Sequence, residues 1–172
     1  MATFRIDRQR SHLWIEARSS LHAIHSETSG LEGWFEGEFL DGGRLNPAVA
    51  PQAHLELSVQ LLSSGNPLND REMRRRIDAR RYPTITGELT SMKESEPEGR
   101  YLVGGGVTFR GVTRRYTDNM TLSWPDDRTL VLEGEREFDI RDFGMEPPRI
   151  LTLRVYPEVK IRVAIVAVQE AS

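Results

Sequence analysis

The chain has 172 residues, of which 38% are hydrophobic and 28% charged, with 23 Lys and Arg against 26 Asp and Glu for a net charge of −3. That balance suits one globular domain, residues 1–172, and disfavours both a disordered chain and a globally basic nucleic-acid binder. Cysteine is absent, which excludes a disulfide scaffold, a cysteine-ligated zinc or iron–sulfur site and a thiol nucleophile. The longest apolar run, Val163 to Val168, is far shorter than the roughly 20 residues a spanning helix needs. Charges at Arg5 and Asp7 occupy the place of an apolar secretory segment, so the expected location is the cytoplasm.

Most of the chain repeats with period two, the signature of half-buried strands. Leu13, Ile15 and Ala17 alternate with Glu16 and Arg18. Leu31, Gly33, Phe35, Gly37 and Phe39 follow with glutamates between them, and the two glycines predict bulges or bends. Leu55, Leu57, Val59 and Leu61 alternate with Glu56, Ser58 and Gln60. Val107 and Phe109 follow Gly104-Gly105-Gly106, which lacks the Lys-Ser/Thr pair of a phosphate loop and reads as a bent strand at a barrel corner. Met120, Leu122 and Trp124 share a face, as do Leu130, Leu132 and Phe138. The last run, Leu151, Leu153, Val155, Val159, Ile161, Val163 and Ile165, is interrupted by Pro157, which predicts an edge, a bulge or a break. Turn chemistry at Asp41-Gly42-Gly43, Ser64-Gly65-Asn66-Pro67, Glu96-Pro97-Glu98-Gly99, Arg110-Gly111 and Pro125-Asp126-Asp127 separates the runs. About eight to ten short strands of this kind predict an antiparallel sandwich or barrel.

One segment breaks the pattern. Asn69 followed by Glu72 reads as a capping box, Leu68 and Met73 as a hydrophobic staple, and Met73 with Ile77 as an apolar stripe, predicting a helix over about 69–81 that ends before Pro83. It holds six arginines against three acids. The charge suits phosphate or anionic lipid contact, or else a solvated face with internal ion pairs such as Asp78 with Arg74 or Arg81. No aromatic residue interleaves the arginines, which argues against single-stranded nucleic acid.

His22-x-x-His25 is the nearest approach to a metal motif, but no third ligand stands at a recognisable spacing. Two charged residues fall on apolar parity: Asp118 with Met120, Leu122 and Trp124, and Arg136 with Leu130, Leu132 and Phe138. Facing inward, they need partners. Either they pair with each other across neighbouring strands or they anchor the polar end of a ligand, unless a bulge turns one outward.

Several stretches are specific enough to carry a family resemblance. Arg80-Arg81-Tyr82-Pro83-Thr84-Ile85-Thr86-Gly87, Gly105-x-Val107-Thr108-Phe109-Arg110-Gly111-Val112-Thr113-Arg114, Phe138-Asp139-Ile140-Arg141-Asp142-Phe143-Gly144, and the opening and closing strands resemble the YceI-like family. The resemblance implies an all-β fold: a lipocalin-like antiparallel β-barrel of about eight strands, with one short helix. It also implies a binding or carrier protein for a polyisoprenoid or similar amphipathic lipid, not an enzyme, with no cofactor and no metal. A barrel of eight strands is near the size that holds either side chains or one ligand. The inward parities then assign the pocket wall to Leu13, Ile15, Phe35, Phe39, Leu55, Leu57, Val59, Val107, Phe109, Met120, Leu122, Trp124, Leu130, Leu132, Ile161 and Val163, with Met73 and Ile77 closing one end and Asp118 and Arg136 as polar anchors. The partner expected is an apolar small molecule and not nucleic acid. The family leaves room for a homodimer, and the arginine helix for transient contact with a membrane surface. Two alternatives compete: an enzyme in the same pocket using His22 and His25 with or without a metal, and an anionic-lipid or phosphate-binding module built on the helix.

Overall fold

A computed structural model describes residues 1–150 and 153–171; the expected inward position of Leu151 lies outside them. The chain forms β1 (Ala2–Ile6), β2 (His12–Ser19), β3 (Ala23–Thr28), β4 (Glu32–Gly37), β5 (Gln52–Ser58), α1 (Pro67–Ile77), β6 (Thr84–Glu94), β7 (Arg100–Phe109), β8 (Val112–Asp126), β9 (Thr129–Asp139), β10 (Arg149–Ile150) and β11 (Leu153–Gln169). Antiparallel pairing runs β1-β4-β5-β6-β7-β8-β9-β11 and closes from β11 back to β1, giving an eight-stranded barrel. The long β11 makes closure feasible. One edge pairs with β9 from Glu158 to Val168, while the other takes β2 at Val155–Ala164 and then β1 at Ala167–Gln169. β3 hangs on the far side of β2.

Glycines and one proline shape this wall. At Gly33, φ is +141° and a Cβ would lie 1.9 Å from the His54 carbonyl oxygen, so only glycine lets β4 approach β5 there. Gly105 sits opposite a register shift between Leu89 and Ser91 of β6, the bent corner expected of the glycine triplet. Pro157 falls within a register shift of β11 against β2, between Val155 and Val159. The β7–β8 turn places both Arg110 (φ 54°) and Gly111 (φ 73°) in the left-handed region, as a two-residue hairpin loop requires.

Both barrel ends are stopped. At one end Phe4, Phe39 and Trp124 meet edge-to-face, with Phe39 and Trp124 centroids 4.9 Å apart. The loop after β4 is tied across this end: Trp124 Nε1 donates to the Gly43 carbonyl (3.0 Å), and the Leu45 amide donates to Tyr101 Oη (3.0 Å). At the other end α1 seats Ile77, which is buried with Val59, Leu62 and Ala79. Arg110 fastens it, donating from Nε to the Ile77 carbonyl and from Nη1 to the Phe143 carbonyl.

The helix begins three residues earlier than its sequence signals predict. Asn66 is the cap, its side chain accepting from the Leu68 and Asn69 amides, and Pro67 takes the first helical position, where a missing N–H costs nothing. Glu72 therefore does not complete a capping box; it binds Arg75 (2.9 Å) and Arg76 (2.9 Å), and those hydrogen bonds hold its carboxyl down to about 2. The helix stops at Asp78, which adopts a left-handed conformation and is not the ion-pair partner expected for Arg74 or Arg81. The strand expected through Leu61 ends at Ser58. Its hydroxyl accepts from the Gln60 amide and starts a 3-10 turn, Val59–Leu61, that buries Val59 and exposes Leu61.

Candidate functional site

Between the two stopped ends lies a cavity of about 320 Å³. Of the residues expected on its wall, Leu13, Phe35, Leu55, Leu57, Val107, Met120, Leu130, Leu132, Ile161 and Val163 line it. The rest do not reach it. Phe39 and Trp124 belong to the aromatic end, since β4 stops at Gly37 and Phe39 swings into the plug, and Leu122 is buried in the core. Val59 and the helix residue Ile77 belong to the core, Met73 of the helix and Ile15 pack against it, and Phe109 meets Phe143 edge-to-face with centroids 5.6 Å apart. Alternation identifies which face of a strand is inward; it does not say at what height the barrel is hollow.

Lining residues not singled out from sequence include Ile6, Ala53, Ile85, Leu89, Met92, Val103, Tyr116, Ile165 and Ala167. Ile165 and Ala167 extend the parity of Ile161 and Val163, and Tyr116 that of Met120, so the same signal reaches them. Gly87, Gly105 and Gly134 also border the space, and each withholds a side chain that would otherwise fill it.

Asp118 and Arg136 both face this cavity and pair with each other, Arg136 Nη1 donating to Asp118 Oδ1 at 2.6 Å. The Arg136 guanidinium also lies over the Tyr116 ring, 4.3 Å from its centroid, and Tyr116 meets Phe138 edge-to-face at 5.0 Å. Burial, with the Asp142 charge adding to it, pushes the Tyr116 hydroxyl above its ordinary value, so it remains neutral at physiological pH. One charged pair and one phenol thus interrupt a mostly apolar wall, which Thr86, Glu88 and Glu135 also border.

The other candidates assemble no such site. His22 and His25 are both exposed; His22 Nδ1 lies 3.0 Å from the Ala23 carbonyl and His25 Nδ1 4.0 Å from Glu16. Among the described residues, no group of three or more His, Asp and Glu has the arrangement of a metal site. His54 sits on the outer wall with Glu56 (3.1 Å) and Glu88, whose hydrogen bonds raise its imidazole above the ordinary value. On α1, Arg75 and Arg76 pair with Glu72, and Arg76 also reaches Glu146 at 3.5 Å. Arg74 points at the Gln60 and Leu62 carbonyls, at 3.5 Å. The basic face is therefore partly consumed by the protein itself. Among the described residues no helix is long and apolar enough to cross a membrane.

Comparison with known proteins gives the fold independent support. A family model described as the YceI-like domain matches residues 4–167. BcnA of Burkholderia cenocepacia superposes with a TM-score of 0.76 at 17% identity, covering 94% of this chain and 98% of that one. A polyisoprenoid binding domain from Saccharophagus degradans, implicated in plant cell wall breakdown, also gives 0.76, at 11% identity over 97% and 98% of the two chains. The Campylobacter jejuni YCEI protein gives 0.64 at 11% identity, over 87% and 86%. Among curated proteins, no sequence matches this chain.

Proposed function

We propose, from the premise that this chain belongs to the YceI-like family, that it is a binding or carrier protein holding an isoprenoid or similar amphipathic chain inside the barrel. The observation that carries the reading is the cavity of about 320 Å³ inside the barrel, walled mostly by apolar side chains and within the range of small-molecule sites. Transfer of an apolar chain into it is favoured by about 25 cal/mol per Å² of surface removed from water, without any reacting group. The ion pair at Asp118 and Arg136 satisfies its own charges, which suits recognition rather than proton transfer. Similarity to a domain named for polyisoprenoid binding points the same way.

The test is organic extraction of the purified protein followed by mass spectrometry, with parallel calorimetric titration by farnesol. A co-purifying isoprenoid or acyl chain, or saturable binding of the probe at one per barrel, is the expected result. An empty extract together with no farnesol binding would overturn the carrier reading.

A further inference from the structure

The barrel wall is not uniformly sewn. Backbone pairing between β8 and β9 is recorded from Asp126↔Thr129 only as far as Thr121↔Glu133. The neighbouring ladders continue: β7–β8 down to Phe109↔Val112, and β9–β11 to Glu158↔Asp139. Among the described residues, Tyr116 to Met120 of β8 and Gly134 to Phe138 of β9 therefore face one another without ladder hydrogen bonds. Elsewhere individual side-chain hydrogen bonds tie the unpaired edges. Thr28 Oγ1 of β3 donates to the Leu61 carbonyl, and the upper part of β6 is held by Arg44, bidentate on Glu94. Across the β8–β9 seam the bridges are side chains: the Asp118–Arg136 pair, Arg136 over Tyr116, and Tyr116 against Phe138.

This seam is also where inside meets outside. Asp118, Gly134 and Glu135 border both the inner cavity and an outer hollow of about 430 Å³, which Arg100, Glu133 and Arg162 complete. Two polar atoms of the seam, Tyr116 Oη and Arg136 Nε, are shielded from solvent and have no hydrogen-bond partner in the protein. An unmet buried donor is costly, so the closed seam is held less firmly than its ion pair alone implies. Parting the strands presents both atoms to an incoming oxygen. Around the seam Arg100, Arg136 and Arg162 are interleaved with the carboxylates Asp118, Glu133 and Glu135, and Lys160 lies 3.7 Å from Glu135. The three carboxylates interleaved with these cations oppose a di- or trianionic head, whereas an uncharged oxygen meets no such repulsion.

We propose that the unpaired β8–β9 stretch is the side entrance of the cavity, and that Tyr116, Asp118 and Arg136 there hold the ligand's head, an uncharged oxygen group such as a hydroxyl or carbonyl rather than a phosphate. This rests on the carrier reading and specifies its ligand class. The apolar chain lies in the cavity, and the oxygen accepts from Tyr116 Oη and Arg136 Nε at the seam.

Three probes sharing one chain separate the ideas in calorimetric titrations of the full chain: farnesol, farnesyl diphosphate and the hydrocarbon farnesene. Farnesol is expected to bind at least tenfold more tightly than the diphosphate. Tyr116→Phe, which keeps the ring over Arg136 and Phe138, is expected to weaken farnesol roughly two- to tenfold, the worth of one hydrogen bond, and to leave farnesene unchanged. Asp118→Asn, isosteric and one negative charge poorer, is expected to narrow the preference for farnesol over the diphosphate. Equal or tighter binding of the diphosphate by the unaltered protein, or an alcohol affinity indifferent to Tyr116→Phe, would overturn the head site while farnesene binding keeps the carrier reading. Failure of all three probes to bind would overturn both.

Discussion

Filling the cavity from a position where the backbone already tolerates a side chain separates ligand binding from folding. Gly87 of β6 borders the cavity, its φ is not in the left-handed region, and a Cβ there would meet Leu55 Cβ and Cδ1 at 3.6 Å, an ordinary contact. Gly87→Phe therefore sends a ring into the hollow without straining the strand. If the ring displaces roughly three methylenes of a bound chain, at about 0.8 kcal/mol each, the loss is about 2.4 kcal/mol, or roughly fiftyfold in Kd. Folding should not suffer. Removing a strand glycine and burying a ring, less some overpacking, leaves a gain of about 1–2 kcal/mol, or roughly 2–8 °C in Tm. Farnesol titration and thermal melting of the same preparation read the two effects, with Gly87→Ala as the control that changes binding by less than twofold. A Gly87→Phe protein that melts no lower than the parent yet binds farnesol within threefold of it would refute the placement of the chain in this cavity.

Gly33→Ala should destabilise by about 3 kcal/mol in urea melts, because the new Cβ collides with the His54 carbonyl at a φ of +141°. At Asp70, burial would raise the carboxyl, but hydrogen bonds from the Ser64 amide (2.8 Å), Ser64 Oγ (2.7 Å) and Ser63 Oγ (3.1 Å), with Arg74 nearby, bring it below the ordinary 3.8. Its contribution is thus fully present above that value and lost as pH falls through the lower folded one. Asp70→Asn should destabilise at neutral pH and show a shallower acid limb, measured as Tm against pH. His54 behaves oppositely: held above 6.5 by Glu56 and then Glu88, it stabilises below that pH and loses the contribution as pH rises through its raised folded value. His54→Gln should narrow its deficit relative to the parent between mildly acidic and alkaline pH; a constant deficit would show that His54 does not titrate against these glutamates.

Alternation of apolar and polar residues pointed to an all-β chain and its inward faces and singled out the charges at 118 and 136, because side-chain direction in a strand is a local property with period two; that neither is turned outward by a bulge came from the structure. Turn residues such as Arg110-Gly111 were equally legible, since their backbone angles depend on near neighbours. The start of the helix was misplaced because Asn69 with Glu72 reads as a capping box while Ser64-Gly65-Asn66-Pro67 reads as a turn; Asn66 is the cap, and Glu72 was drawn away by Arg75 and Arg76. What lies above and below the hollow was not legible. Phe39 and Trp124 carry the same parity signal as Leu132 and Val163, yet the first two plug an end and the other two line the cavity. For Asp118 and Arg136 the sequence left pairing and ligand anchoring open; they pair, across a seam set by where the β8–β9 ladder stops. Sequence alone determined which way each strand faces; tertiary structure decided where the barrel is empty and where its wall can part, because both depend on strands distant in the chain meeting at one height.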